Sequence, residues 1–416
     1  WRKLALATPT PASRAGHHTI GEVGIMNATL KALGRRLRLG VVGGGPGSFI
    51  GEVHRIAARM DDHYEVVAGV LSRDPERSRA AAVGIGIAAD RAYASHTELL
   101  AREDARADGI DVLAIMTPNG LHHAAARDAL NHGLDVICDK PLTTALAESL
   151  DLVERVRASG LVFCTTYNYS AHPMVRQARA MVQDGTLGDI RQVQVEYIQS
   201  HLAARTEADD HPDSAWRFAP EMTGPSLVVG DIGTHAHHLA NYVSCQTATE
   251  VAAEVGHAVP ERIVDDFAHV LMRFDGGARG SMWVTNSAAG AEHGLAIRVF
   301  GELGGLEWHQ EEPNALLHRR LGDFPVVMTR GRPGLSESAR RATRVALGHP
   351  EGYFEAFANV YTEAAAAIVA RRTGQAPDHV PDFPTVEDGA RGVKFVEAVA
   401  DSGRHDGRWT DCRLEL

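Results

Sequence analysis

The sequence predicts a two-domain α/β protein, in which an N-terminal, doubly wound parallel sheet is followed by an α+β domain with a mainly antiparallel, open sheet. The chain has 416 residues, more than one ordinary domain contains. Short apolar runs alternate with helical patterns up to residue 169, as in a parallel sheet covered by helices. Beyond that point apolar and polar residues alternate, as in half-buried strands. We expect a flexible extension at 1–36, a first domain at 37–169 and a second at 170–416.

The elements of the first domain follow one another in regular order. The apolar run LRLGVVGGG at 37–45 predicts a buried strand that ends in a tight turn, and residues 51–60 have helical spacing. After a second strand at 64–72, Asp74 is a good N-cap and Pro75 suits the first helical position. The other predicted elements are strands at 109–118, 134–141 and 161–169, and helices at 121–133 and 144–158.

The second domain has a different rhythm. It begins with a helix at 173–184 and an alternating strand at 189–199, and residues 223–243 form a loop that enters a helix. The tail from 353 to 400 is helical, apart from a proline-rich interruption at 377–384. Four further strands, the first two joined by a Gly276-Gly277 hairpin turn, are predicted at 268–275, 278–286, 294–300 and 304–309.

Composition and charge exclude several classes of protein. The formal net charge is −11, so bulk attraction to nucleic acid or to an anionic membrane is not expected. No apolar run is long enough to span a bilayer. The cysteines have neither metal-type spacing nor a dense disulfide pattern, which predicts reduced thiols in a cytoplasmic protein; they are Cys138, Cys164, Cys245 and Cys412.

Residues 1–36 differ from the rest because they are basic, with Glu22 as their one acidic residue. We interpret them as a flexible extension, or as the result of a start placed too early, with Met26 as the alternative start. A transit peptide is a further alternative for such a composition.

The turn after the first strand has the composition of a dinucleotide-binding loop. Gly43, Gly45 and Gly47 let backbone N–H groups approach a pyrophosphate at a helix N-terminus. The common G-x-G-x-x-G spacing is not met, because Ser48 takes the place of the last glycine. Gly51 can fill that role if the loop carries two extra residues. A tight turn without a ligand is the alternative interpretation.

The end of the second strand discriminates between the two nicotinamide cofactors. An acidic residue there binds the ribose hydroxyls of NAD, whereas a small residue followed by Arg accommodates the 2′-phosphate of NADP. Ser72 occupies this position and Arg73 follows it, which favours NADP over NAD. Asp74 comes too late in the chain and is accounted for as a helix cap.

Two motifs identify a family resemblance. The segment TPNGLHHAAARDALNHGLDVICDKPLTT closely resembles the glucose–fructose oxidoreductase and inositol dehydrogenase family, in which TPN-x-x-H is followed by EKP. Asp139 replaces the Glu of EKP here. The second motif, D-x-G-x-H, appears as Asp231, Gly233 and His235, and His238 stands where the family often has a further Asp. The resemblance covers roughly residues 37–310.

The resemblance implies an N-terminal Rossmann domain, NADP or NAD as cofactor, and an active site between the domains. It also implies a homodimer or homotetramer formed through the second sheet. Together with the glycine turn it gives the expected cofactor contacts, which are Gly43, Gly45, Gly47, Ser48, Ser72, Arg73, Thr117, Pro118, Asn119, His122, Asp139 and Lys140.

The chemistry of hydride transfer assigns roles to three residues. A carbinol carbon loses hydride more easily as its hydroxyl loses a proton, so the site needs a base and a positive group near the oxygen. Lys140, beyond a strand end, suits the positive group. His235 suits the base, and Asp231, four residues earlier, shares its helical face. The same roles are those that the family assigns to its Lys, Asp and His.

Each of these residues also has a structural alternative. Lys140 could be a solvated surface charge, and Asp231 could merely cap a helix. His235, His237 and His238 form a cluster, but their spacing does not place all three on one helical face, so no metal site is expected.

The sequence therefore predicts an oxidoreductase that moves a hydride between NAD(P) and a carbon of a sugar, inositol or related polyol. Alternatives are a non-catalytic NAD(P)-binding sensor, an NAD-dependent glycosidase-type relative, and a dihydrodiol or imine substrate. His349, Glu351 and Tyr353 could also reach the site from the C-terminal segment. The expected substrate contacts are Lys140, Asn168, Tyr169, Trp216, Arg217, Asp231 and His235.

Overall fold

The computed structural model describes residues 27–205 and 215–416. Most of the N-terminal extension, including the alternative start at Met26, lies outside the described residues. Its last part is not flexible as predicted, because Ala28–Leu33 form helix α1. The Asn27 side chain caps this helix by accepting the N–H of Leu30, and Thr29 is buried.

The first sheet has five strands, all parallel, in the order β2-β1-β3-β4-β5. The predicted doubly wound parallel sheet is thus confirmed, and Asp74 caps α3 as expected by accepting the N–H of Arg77. Helix α4 was not predicted. The strands are β1 (Leu37–Gly43), β2 (Tyr64–Val70), β3 (Val112–Met116), β4 (Asp135–Cys138) and β5 (Phe163–Thr165). The helices are α2 (Phe49–Met60), α3 (Pro75–Gly84), α4 (His96–Asp104), α5 (His122–Asn131) and α6 (Leu146–Ser159).

The second sheet has nine strands in the order β13-β12-β11-β10-β6-β9-β8-β7-β14. Only the β6–β9 pair is parallel among its described neighbours, which confirms a mainly antiparallel sheet. Its strands are β6 (Ile190–Gln199), β7 (Ala248–Gly256), β8 (Phe267–Phe274), β9 (Arg279–Thr285), β10 (His293–Gly301), β11 (Gly304–His309), β12 (Ala315–Arg320), β13 (Val326–Thr329) and β14 (Thr410–Asp411). The intervening helices are α7 (Pro173–Gln183), α8 (Pro220–Thr223) and α9 (Thr234–Ser244).

One face of this sheet is covered and forms the second core. Val193 and Val195 of β6 pack with Leu239 and Val243 of α9 in a single cluster of buried residues. The strand alternation predicted at 189–199 is the reason, since every second side chain of β6 points to these helices.

The C-terminal helices do not follow the predicted domain boundary at residue 170. Phe357 and Ile368 of α11 are buried with the strands of the first sheet. Val393 of α12 joins the first domain's other core cluster, and Val399, two turns later, joins the second domain's core. The two domains are therefore tied together by apolar burial, because α12 contributes to both cores. The C-terminal helices are α10 (Glu337–Arg341), α11 (Tyr353–Thr373) and α12 (Val386–Arg404).

The described residues offer neither a metal-binding cluster nor a membrane-spanning helix. Within 27–205 and 215–416, no group of His, Cys, Asp and Glu is arranged to hold a metal ion. None of the helices in these ranges is long and apolar enough to cross a membrane. The four cysteines are free thiols, and three of them are buried.

Candidate active site

Lys140 joins the two domains across the groove between them. It follows β4 of the first sheet, at the edge where ligands of open α/β sheets bind. Its Nζ donates to the Asp231 carboxylate over 2.9 Å and to the Asp231 carbonyl oxygen over 2.5 Å. The Lys140 side chain is only 14% exposed, so it is not the solvated surface charge of the alternative interpretation.

Asp231 lies inside a helical segment and is not its cap. Helical backbone begins at Leu227, and the side chains of Ser226 and Asp265 accept the first N–H groups. Asp231 follows in a π-helical turn, Val229–Gly233, before α9 starts. A π-helical turn interrupts the regular i→i−4 backbone hydrogen bonds, and the Asp231 carbonyl oxygen in this turn accepts a hydrogen bond from Lys140 Nζ. The capping alternative for Asp231 is therefore excluded.

The charges around Asp231 keep its carboxylate ionised. Partial burial by itself raises the pKa of Asp231, but the positive charges of Lys140, Arg217 and His201 outweigh it and hold the pKa well below the usual value. His201 was not predicted from the sequence, and its Nε2 lies 4.0 Å from the Asp231 carboxylate. Asp231 is thus an acceptor at neutral pH, for Lys140 and for a ligand hydroxyl.

His235 lies in an aromatic pocket beside this pair. The rings of Tyr169, Tyr167 and Tyr197 are 4.8, 5.7 and 6.3 Å from its ring, all near edge-on or strongly tilted. Burial, and then the charge of Lys140, lower the pKa of His235 well below its usual value, so the imidazole is neutral at pH 7. Its Nδ1 is buried without a hydrogen-bond partner in the part of the chain that the structure describes. A neutral imidazole can accept a proton, so His235 can act as a general base at an alcohol oxygen.

Tyr169 and Asn168 border this pocket from the end of the first sheet. The Tyr169 hydroxyl is 2.5 Å from that of Tyr197, so its ring, rather than its hydroxyl, faces His235. Asn168 is fully buried, and neither amide atom has a partner among the described residues. Contact between Asn168 and substrate stays a prediction.

Trp216 and Arg217 lie in a short turn, Ala215–Phe218, on the second-domain side of the groove. The Arg217 guanidinium is 4.8 Å from the centre of the Trp216 ring. The charge of Arg217 acts on the pKa of both Asp231 and His201, so Arg217 lies near these two residues, and its contact with substrate stays a prediction.

Of the three C-terminal candidates, only Tyr353 reaches the groove. Its ring is 6.0 Å from Phe49 of α2 and 6.1 Å from Tyr169. Glu351 is instead buried against Arg330, and the His349 carbonyl accepts a hydrogen bond from the same arginine. These two residues hold the chain that leads into α11 and do not face the site.

The glycine loop has the close contacts of a dinucleotide cradle. A Cβ on Gly45 would lie 2.0 Å from the Leu71 carbonyl oxygen, and one on Gly51 would lie 2.3 Å from the Gly44 Cα. Gly51 therefore acts as the close-packing glycine, three positions after Ser48, which holds the usual place. Gly47 has φ +85°, and an added Cβ there would meet no atom within 4 Å, which leaves space beside the loop. Ser48 caps α2 by accepting the Gly51 N–H.

After the end of β2, the exposed guanidinium of Arg73 is a positive charge that a cofactor phosphate could contact. The Ser72 hydroxyl accepts the Asp74 N–H over 3.2 Å, and Asp74 itself caps α3. Arg73 is exposed, and no ion pair or hydrogen bond of its side chain is found within the described ranges. The neighbourhood fits the predicted position of an adenosine ribose.

The predicted direct contact of His122 with the cofactor is corrected by the structure. His122 is fully buried, with its two ring nitrogens 2.9 Å from the Pro141 carbonyl oxygen and 2.8 Å from that of Thr117. It connects the TPN turn to the loop of Lys140 and has no surface towards the groove. Pro118 and Asn119 begin the short turn after β3. This turn lies against the second domain, since a Cβ on Gly120 would be 3.0 Å from the Glu221 carbonyl oxygen.

Asp139 interacts with two first-domain residues, Thr166 and His54. Its Oδ1 accepts the Thr166 hydroxyl over 2.6 Å and lies 3.8 Å from Nε2 of His54, a buried residue of α2. Burial alone raises the pKa of Asp139, but His54, Lys140 and Thr166 together hold it well below the usual value. Asp139, whose side chain is shorter than that of the Glu in EKP, thus interacts with Thr166 and His54. Its contact with the cofactor stays a prediction.

Sequence reasoning missed some residues for which a signal existed. Gln199 continues the inward side of β6 after Val195 and Tyr197, and His201 follows two residues later, in the turn beyond the strand end. His54 is a polar residue beside the apolar stripe of α2. No local signal marks Thr166.

Two family models match the chain. Residues 37–167 match the model described as an oxidoreductase family with an NAD-binding Rossmann fold. Residues 175–307 match the GFO/IDH/MocA C-terminal domain. The two matches coincide with the parallel sheet and with most of the antiparallel sheet.

Similar proteins extend over nearly the whole chain. The uncharacterized oxidoreductase YfiI of Bacillus subtilis strain 168 is 32% identical over 388 residues, which are 92% of this chain and 98% of that protein. The structure of an oxidoreductase from Sinorhizobium meliloti is 45% identical with a TM-score of 0.81, covering 90% of this chain and 99% of the other. An inositol dehydrogenase homolog from Azotobacter vinelandii, complexed with NADH and myo-inositol, is 36% identical with a TM-score of 0.85, covering 91% and 98%.

Proposed function

The chain belongs to the GFO/IDH/MocA family of NAD-binding oxidoreductases, and on this premise we propose that it transfers a hydride between NAD(P) and the carbinol carbon of a sugar, an inositol or a related polyol. One observation carries the proposal: Lys140 of the first domain meets Asp231 of the second over 2.9 Å, beside a neutral, buried His235. The myo-inositol complex of the Azotobacter homolog supports the substrate class.

The residues present fit a dinucleotide. Gly45 and Gly51 allow contacts that a Cβ would block, and Gly47 leaves space next to the first turn of α2. These residues and Ser48 would hold the pyrophosphate at the helix N-terminus. When bound, the nicotinamide supplies the acceptor or the donor of the hydride.

The protein's own groups would handle the proton and the charge on oxygen. In the oxidation direction His235 takes the hydroxyl proton on a ring nitrogen, and the Lys140 ammonium stabilises the negative charge that develops on the oxygen. Asp231 takes two of the three Lys140 N–H donors, through its carboxylate and its carbonyl, which leaves one for the substrate oxygen. In the reduction direction the same proton returns from His235.

The residues around this centre would recognise further hydroxyls. Asp231 has a side chain that is 30% exposed and can accept a hydrogen bond from a second hydroxyl. The face of Trp216 can stack on a sugar ring, while Arg217 donates to its oxygens. Tyr353 closes the groove from the C-terminal side.

For the cofactor we propose a preference for NADP, carried by Ser72 and the exposed Arg73 at the end of β2. Arg73→Ala should raise KM for NADP about tenfold, because a charge-assisted contact to the 2′-phosphate is lost. KM for NAD should stay the same. Equal effects on both cofactors would refute the assignment.

The main test is a panel of sugars, polyols and inositols, assayed for reduced-cofactor absorbance with NAD and NADP in parallel. Lys140→Met should lower kcat/KM at least about 100-fold with cofactor affinity retained, since only the charge at the reacting oxygen is lost. Lys394→Met, a partly buried lysine of α12, is the matched control. No turnover on any substrate, with tight cofactor binding, would favour the sensor alternative.

The glycosidase-type alternative predicts a different product balance. Sugar product would form while no free NAD(P)H accumulates, because the cofactor is reduced and reoxidised within each turnover. Stoichiometric release of reduced cofactor would exclude that alternative.

Assembly and location are also proposals. We propose a homodimer or homotetramer formed through the uncovered face of the second sheet, where Leu271, Trp283 and Phe300 are 55%, 39% and 38% exposed. Introducing Leu271→Asp and Trp283→Asp together should yield monomers by light scattering. A wild-type chain that is already monomeric would contradict this. A cytoplasmic location is consistent with the four free thiols.

A further inference from the structure

A polar cavity of about 340 Å³ lies against a second face of α9. It is lined by His238, Asn241 and Tyr242 of that helix, whereas Asp231 and His235 are not among its walls. Arg179 of α7 and Arg391 of α12 close it from either side. His238 belongs to the histidine cluster of α9 but has no role in the proposed reaction; instead, its side chain lines this cavity.

The carboxylates in this cavity already have donors. Asp388 accepts the Thr385 N–H and hydroxyl, and also a guanidinium N–H of Arg391. Asp382 accepts the Tyr242 hydroxyl over 2.5 Å. Asp388 therefore has three donors, whereas Asp382 keeps acceptor capacity beyond this one hydrogen bond.

The donors, in contrast, are mostly unused. A guanidinium has five N–H donors. The Arg179 guanidinium lies 4.4 Å from the centre of the Tyr242 ring and donates to the Tyr242 carbonyl, and Arg391 donates to Asp388. His238 is 8% exposed, and neither ring nitrogen has a hydrogen bond within residues 27–205 and 215–416. Most N–H donors of the two guanidinium groups therefore have no partner among the described residues, which suits a carboxylate or phosphate group.

We propose that this cavity is a binding site for a small carboxylate or phosphate anion, held by Arg179, Arg391 and His238. It is separate from the hydride-transfer site and does not depend on the proposed function. The ring of Tyr167 contacts a residue of each site: it stacks on His238 at 4.6 Å and meets His235 edge-on at 5.7 Å.

The test is isothermal titration with two probes, inorganic phosphate and succinate, at constant ionic strength set with chloride. Saturating NAD(H) is kept present so that the glycine loop cannot bind the probe. The wild-type protein should bind at least one probe with a single site, and the stronger probe identifies the anion as phosphate or carboxylate. Arg391→Gln and Arg179→Gln should each weaken binding about tenfold or more, through loss of a charge-assisted contact.

Arg404→Gln is the matched control, because this arginine lies on the same helix with a side chain that is 61% exposed, away from the cavity. It should bind the probe like the wild type. The proposal is overturned if neither probe gives more heat than chloride, or if Arg391→Gln and Arg179→Gln bind as the wild type does. Arg391 has a partly exposed side chain, so its variant keeps the test decisive even if Arg179→Gln fails to fold.

Discussion

The two sides of the groove hold their chemical groups by different means. On the first-domain side hydrogen bonds do the positioning: His122 lies between the carbonyls of Thr117 and Pro141, and Asp139 accepts the Thr166 hydroxyl. On the second-domain side His235 is positioned by ring packing, with three tyrosine rings around it.

The difference indicates where ligand recognition lies. On the hydrogen-bonded side His122 and Asp139 have protein partners, so the geometry of these two residues is set before a ligand arrives. On the ring-packed side Nδ1 of His235 is buried without a partner among the described residues, as is the amide of Asn168, which borders the same pocket from the first domain. An unpaired buried polar group costs about 1–3 kcal/mol, so such groups persist where a ligand can satisfy them.

The largest effect is expected on the ring-packed side, at its proton acceptor. His235→Asn should lower kcat/KM by about 10²–10⁴, since general base catalysis is lost while the size of the side chain is nearly kept. Affinity for NAD(H), measured by fluorescence titration, should be unchanged. A variant that retains more than about a tenth of the wild-type activity would place the base elsewhere.

The second prediction concerns the hydrogen-bonded side. His122→Ala should reduce the free energy of unfolding by about 2–4 kcal/mol, because it leaves a cavity and removes the one N–H that a neutral imidazole donates to the carbonyl of Pro141 or Thr117. Urea unfolding followed by circular dichroism measures this. The neighbouring His123, whose side chain is 20% exposed and pairs with Asp151, provides the control: His123→Ala should cost less than about 1 kcal/mol. Equal costs would mean that His122 has no special structural role.

The third prediction concerns the pH dependence of the unfolding free energy, through His172, whose ring stacks on Tyr169 of the His235 pocket. Burial between Tyr169 and Trp308 lowers the pKa of His172 from 6.5 to about 3. Below pH 6.5 the unfolded chain binds a proton there that the folded chain does not, so stability falls as the pH falls towards 3. At pH 5 the loss from this residue is about 2 kcal/mol.

His172→Gln should therefore show a smaller drop in unfolding free energy between pH 7.5 and pH 5 than the wild type. His405→Gln, at an exposed position, should keep the wild-type dependence. Identical pH dependence in the wild type and His172→Gln would contradict the burial argument.

The smallest effect should come from removing a hydroxyl while keeping its ring. Tyr197→Phe loses the 2.5 Å contact with Tyr169 but leaves the wall of the His235 pocket in place. We expect a change in kcat/KM of less than about threefold, whereas Tyr197→Ala, which removes the ring, should cost about tenfold or more. If the two substitutions were equally harmful, the hydroxyl pair and not the ring would position His235.

Much of the fold could be predicted because its signal is local. The apolar runs of β1 and β3, and the Asp74-Pro75 start of α3, needed no knowledge of the tertiary structure. The strand β7 was missed because its inward positions include Ala248 and Ala253, whose small side chains give a weak apolar signal. β13 was missed because its residues lie at an edge of the sheet, where no burial pattern forms.

The three residues of the two motifs, Lys140, Asp231 and His235, are neighbours in the structure, whereas their roles in a reaction stay predictions. His201 and Tyr353 come from distant parts of the chain, and their proximity to Asp231 depends on how β6 and α11 pack.

The sequence by itself determined the parallel sheet, the glycine turn and the identity of the three central side chains, since each depends on neighbouring residues. Only the tertiary structure decided that Asp231 bonds to Lys140 instead of capping a helix, that His122 is buried, and that α11 returns to the first domain. The physical reason is that hydrogen-bond partners and burial are set by segments far apart in sequence, and no local pattern records which of them will meet.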